Sequence, residues 1–150
     1  MVKLRLPTVC AVLIVAAILV AGCEQRSRLA ILPGSTSGDL TFAISAWDSS
    51  ERGHVHSIDV YRCVERAGNF PNDGIRVWAA EVANGKSPPL LGEFRYGTNV
   101  GALITYIGPE PLDPGCYIAR VDARFPEEPR GAVLVFRVSA DGKVKSDNDA

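Results

Sequence analysis

Leu112-Asp113-Pro114-Gly115-Cys116-Tyr117 is the stretch that decides the fold. A Pro-Gly pair is a strong turn signal. The residues after it, Cys116 to Ala123 (CYIARVDA), alternate in the manner of a half-buried strand. A bend that feeds directly into a strand argues for an antiparallel β body. The plainer alternative is a Pro-Gly turn that happens to precede an aromatic strand.

The same pattern extends outward in both directions. After the stretch, Ala132 to Ser139 (AVLVFRVS) is a further strand. Before it, Leu40 to Ala46 places Leu40, Phe42 and Ile44 on one face. Val55 to Val64 places Ile58 and Val60 on one face, with Tyr61 and Cys63 on the other. Ile75 to Val82 alternates Ile75, Val77 and Ala79 against Arg76, Trp78 and Ala80. Leu91 to Tyr96 and Ala102 to Ile107 complete the set, separated by Gly97 to Gly101. Turn clusters such as Asn69 to Gly74, Asn84-Gly85 and Pro88-Pro89 divide these runs. No segment after residue 22 sustains a 3.6-residue apolar period over three turns. About seven short strands with turn signals between them predict one all-β domain, an antiparallel β-sandwich with Greek-key connections.

With the strands in place, the Leu-Asp-Pro-Gly-Cys-Tyr run resembles the tyrosine corner of Greek-key sandwiches. In that motif a tyrosine near the start of a late strand hydrogen-bonds to backbone a few residues upstream. The resemblance implies that Pro114 and Gly115 form the bend, Leu112 plugs the core and Tyr117 ties the connection down. It covers six residues and implies an immunoglobulin-like, fibronectin-like or transthyretin-like body. The Cys-Trp-Cys spacing of antibody domains is missing.

The N-terminus has the parts of a secretory signal. Lys3 and Arg5 give a positive start, Val9 to Val20 is unbroken apolar sequence, and Ala21 and Gly22 precede Cys23. The apolar run is too short for a spanning helix, which needs about 20 residues. An ordinary signal peptide and an uncleaved N-terminal anchor remain as alternatives. The run Val20-Ala21-Gly22-Cys23 resembles the lipobox of bacterial lipoproteins. That resemblance implies cleavage before Cys23, acylation of Cys23 and attachment to a membrane through the N-terminal lipid. Each buried CH₂ contributes about 0.8 kcal/mol and stable anchoring takes more than one chain, which the family's cysteine carries. Glu24 follows the cysteine. By the rule of enteric bacteria it implies the outer membrane, periplasmic face. The chain thus divides into a signal (1–22), a lipid-anchored tether (23–39), a sandwich (40–140) and a polar tail (141–150). Within the tether, Leu29 to Leu32 is the one apolar run and a candidate first strand.

Composition narrows the partners. Lys and Arg number 16 against 17 Asp and Glu; without Lys3 and Arg5 the body carries 14 against 17, a net charge of −3. Nucleic-acid binding draws on clustered positive charge, so nucleic acid and electrostatic docking to anionic lipid are not expected. With Cys10 in the signal and Cys23 at the lipid site, Cys63 and Cys116 are the pair left in the body. An exported chain enters an oxidising compartment, so the two are expected to form a disulfide, the alternative being two buried free thiols. Since Cys116 neighbours Tyr117, the bridge belongs at a sheet margin or outer face.

Candidate chemistry is sparse. His54 and His56, two apart on a strand, share a face, a geometry used by copper and zinc sites. Such a site needs a third or fourth ligand; Asp48, Glu51 and Asp59 are available, but nothing in the spacing requires them, and exposed histidines at a strand start are the plainer reading. No G-x-S-x-G, phosphate-cradling loop or cofactor motif is present. Trp47, Trp78, Tyr61 and Tyr96 are candidates for a binding face, with Trp78 placed off the core side by its alternation; tryptophans that fill a partly covered side of the sheet are the alternative. The expectation is a non-catalytic, lipid-anchored envelope protein that binds or scaffolds another envelope protein or a glycan. A metal-binding accessory protein using His54 and His56 is second, and an envelope enzyme third.

Overall fold

The computed structural model describes residues 27–48, 51–64, 71–126 and 129–147. The expected signal, the lipobox and Cys23 lie outside the described residues. Among the described residues there are nine strands and no α-helix: β1 (Ser27–Ile31), β2 (Thr41–Ala46), β3 (His54–Val64), β4 (Asn72–Val82), β5 (Glu93–Arg95), β6 (Leu103–Ile107), β7 (Gly115–Arg124), β8 (Pro129–Val138) and β9 (Val144–Ser146).

The strands form two antiparallel sheets, ordered β1-β2-β5 and β6-β4-β3-β7-β8-β9. The chain changes sheet between β2 and β3, β4 and β5, and β5 and β6. β7 then returns past β4 to β6 and pairs with the free edge of β3, a Greek-key type of return. Phe42, Ile44 and Phe94 from the smaller sheet pack against Val60, Trp78, Tyr117 and Phe136 from the larger one. The rings interlock: Tyr117 stacks on Phe136 at 5.4 Å, and Phe136 meets the edge of Phe42 at 6.0 Å. The all-β sandwich expected from strand spacing is the fold.

Its limits differ from the expected 40–140. The folded body already includes Ser27, because the apolar run in the supposed tether pairs residue by residue with β2, and Leu29 is buried. At the other end Val144 to Ser146, expected to be polar tail, pairs with β8.

Trp78 also corrects an expectation. Along β3 and β4, Val60 faces Trp78 and the next residue, Tyr61, faces Arg76, so Val77 is an extra residue. Such a bulge breaks simple alternation. Trp78 and Ala80 face inward, and Trp78 is fully buried, with Nε1 donating to Thr105 Oγ1 at 3.0 Å and its ring against the edge of Tyr96. The bulged carbonyl of Val77 finds partners outside the ladder: Glu110 N–H donates to it at 3.0 Å. The Tyr96 hydroxyl lies 3.3 Å from the same carbonyl and donates to Glu110 O at 2.7 Å. Gly108 lets this strap pass, since a Cβ there would stand 2.1 Å from Val77 O.

At Leu112 to Tyr117, Leu112 is buried, and the Tyr117 hydroxyl donates to Asp113 O, four residues upstream, at 2.8 Å. Removing that hydroxyl leaves a carbonyl without its partner beside the core. Tyr117→Phe is expected to lower the unfolding free energy by about 1–3 kcal/mol, read by urea denaturation; an unchanged midpoint would show that the bond contributes nothing.

Candidate binding face

The larger sheet has an outer face that the smaller sheet does not cover. Strand pairing lays its side chains out in rows. One row runs Ala79, Asp59, Arg120, Val133; the next runs Arg76, Tyr61, Ile118, Val135. Asp59 and Tyr61 are there because Ile58 and Val60, which they alternate with, face the core. Arg76 is there while Trp78 faces inward, because the Val77 bulge lies between them.

Arg76 is the centre of the face. Its Nε stands 3.4 Å from Asp59 Oδ1, an Nη donates to the Tyr106 hydroxyl at 3.2 Å, and the guanidinium lies over the Tyr61 ring at 5.3 Å. Beside it, Arg120 grips Asp73 through both Nε and an Nη, at 2.9 and 3.0 Å. Burial pushes the Asp59 carboxyl above the ordinary carboxylate range, and Arg76 opposes that shift. Burial, then the Asp59 carboxylate, raises the Tyr106 hydroxyl. Each charge therefore already has a protein partner, and the guanidinium is oriented before anything binds. Around this network Tyr106 (53% exposed) and Ile104 leave apolar surface in solvent. An oriented arginine among tyrosines with an apolar rim is the composition of protein-recognition hot spots.

The expected site residues are distributed as follows. Cys63 and Cys116 stand at disulfide distance, Cα to Cα 5.4 Å, and pack with Ile118 and Val135 on this same outer face. His54 starts β3 and pairs with Leu90. His56 is the extra residue of a second bulge, between Val55 facing Ala123 and Ser57 facing Asp122. It lines a polar cleft of about 240 Å³ with Glu81, Lys86, Asp122 and Arg124. Burial first, then the Arg124 charge, lowers its pKa. Among the described residues, no group of three or more His, Cys, Asp or Glu side chains gathers to hold a metal. The four candidate aromatics do not form one face. Trp78 and Tyr96 pack with the core, Tyr61 lies under Arg76, and Trp47 stands exposed after β2 with the Arg28 guanidinium 3.6 Å from its ring centre.

Arg76, Tyr106, Arg120 and Asp73 were not singled out by the sequence, and Asp59 was named only as an available ligand beside the histidines. Asp59 had a signal, its alternation with Ile58 and Val60. Arg76 was placed off the core side by the same alternation that misplaced Trp78, and there it stands; Tyr106 had no signal, because the bulge opposite Ala79 and Ala80 shifts its phase. Comparison with known proteins returns no match to a family model, a curated sequence or a solved structure.

Proposed function

We propose that this chain is a lipid-anchored protein of the bacterial cell envelope, attached through acylated Cys23, whose sandwich binds another envelope protein or a glycan without catalysis. The observation that carries the reading is the order of parts: a positive start, an apolar run and Val20-Ala21-Gly22-Cys23, followed within four residues by the first strand at Ser27. The Arg76, Tyr61 and Tyr106 face supports the binding role, since a pre-oriented, aromatic-rich surface lowers the ordering cost of association. In a Gram-negative cell, Glu24 favours the periplasmic face of the outer membrane.

The test uses the full chain expressed in a bacterium. Intact mass should show a mature chain that begins at acylated Cys23 and partitions with membranes, and Cys23→Ser should leave an uncut, unacylated precursor. Normal processing of Cys23→Ser would overturn the anchor. A photo-crosslinking residue at Tyr106 should give a discrete adduct that Arg76→Ala removes; a Tyr106 probe without any discrete adduct would count against this face.

A further inference from the structure

The end of the sandwich where β1 begins combines three features that the binding face does not use. Ser27 pairs with Ala46, so the chain enters the fold directly beside Trp47. Trp47 is 57% exposed and carries Arg28 on its ring. Leu90, 56% exposed, lies at the same end, where it pairs with His54 at the start of β3. Leu90 also lines a cleft of about 350 Å³ at this end, whose other walls include Ile44, Ala46 and Leu91. The Leu90 loop is held by backbone bonds on both sides, Val55 N–H to Pro89 O at 2.9 Å and Leu91 N–H to Gly53 O at 3.1 Å. The two apolar side chains are thus displayed by a paired framework.

We propose that this end, through Trp47 and Leu90, docks into the interfacial layer of the bilayer that holds the anchor. The inference rests on acylation of Cys23. Three residues, Glu24 to Arg26, separate Cys23 from Ser27, and the four residue-to-residue steps span at most about 14 Å. A bilayer places only some 5–7 Å of headgroup region between its hydrocarbon and water on each side. A tether that short keeps the β1 end of the domain within reach of the headgroups. What it presents there suits the layer: tryptophan concentrates at membrane interfaces because its ring is apolar and its N–H is polar. An arginine stacked on that ring suits the same layer, since its aliphatic stem lies along apolar surface while its guanidinium stays at the polar side. The body is net negative and Asp48 and Glu51 lie at the same end, so the docking is apolar and survives high salt, unlike an electrostatic attachment.

The test places the acylated full chain in phosphatidylcholine vesicles whose acyl chains are brominated. The chain has two tryptophans, and Trp78 is fully buried, so Trp47 reports on the surface. Its emission should shift to the blue and be quenched by the brominated lipid, equally at low and high salt. Trp47→Phe should abolish the quenching, and Leu90→Glu should weaken it, with acyl mass and vesicle flotation unchanged in both. An acylated, vesicle-bound chain whose Trp47 emission ignores brominated lipid overturns the docking and leaves the anchor standing. A chain shown by mass to lack acylation, and free of the vesicles, overturns both.

Discussion

Trp78→Ala is expected to lower the unfolding free energy by about 3–5 kcal/mol, the range for deleting a large buried aromatic. Three losses coincide at this residue. The ring is wholly buried between the sheets and its atoms have no replacement. The Thr105 hydroxyl loses the indole N–H that donates to it. Tyr96 loses the ring against which it packs at 5.1 Å, and Tyr96 is the residue that fastens the 108–110 strap. Trp78→Phe separates these contributions. It retains an aromatic ring in contact with Tyr96 and gives up the bond to Thr105 together with part of the volume, so its cost should fall well below that of alanine. Urea unfolding followed by far-ultraviolet circular dichroism reads both, with an unchanged slope marking a pure stability effect. An alanine variant within about 1 kcal/mol of the parent would mean that the ring does not fill the core, since surface substitutions usually stay within about 0.5 kcal/mol.

Trp78 also shows where reading the sequence stops. Strands β2 to β8 were all visible, because each holds several apolar residues between turn signals, and tertiary packing rewards that pattern. β1 was half visible: Leu29 and Ile31 alternate, but Ser27 and Arg28 give no apolar signal. β9 was invisible, since Val144-Lys145-Ser146 is a strand only by virtue of its backbone pairing to β8. Alternation then fixed the inner and outer faces of β3 correctly, as Ile58 shows. It failed on β4 because a bulge is a feature of pairing between two strands, and nothing in IRVWAAEV marks Val77 as the residue without a partner. The bulge lets Trp78 point inward while Arg76, expected on the same side as Trp78, stays outward over Tyr61 and Asp59, so the core and the candidate face share one local irregularity.

Loss of the Cys63 to Cys116 link is expected to cost about 4 kcal/mol, the chain-entropy value for a loop of this size, the two cysteines being 53 residues apart. The native state offers little reason for so large an effect. β3 and β7 are hydrogen-bonded neighbours already, with Arg62 facing Tyr117 one residue from each cysteine, so the link adds no new pairing. It also sits on the outer face with Ile118 and Val135, away from the Phe42, Tyr117 and Phe136 rings. Its stabilisation therefore acts mainly on the unfolded chain, by forbidding conformations in which residues 63 and 116 are far apart. Two results follow for a Cys63→Ala, Cys116→Ala double variant. The urea midpoint should fall while the circular dichroism of the folded state is retained. The denaturant slope should rise, because an unfolded chain without the link exposes more surface. A double variant with the parent's midpoint and slope would show that the link does not constrain the unfolded chain. A variant that loses its sheet signal would show instead that the link holds the native pairing of β3 and β7. The expected pattern ties the body to its route, because a domain that draws this much stability from a bridge depends on the oxidising compartment to which the signal would deliver it.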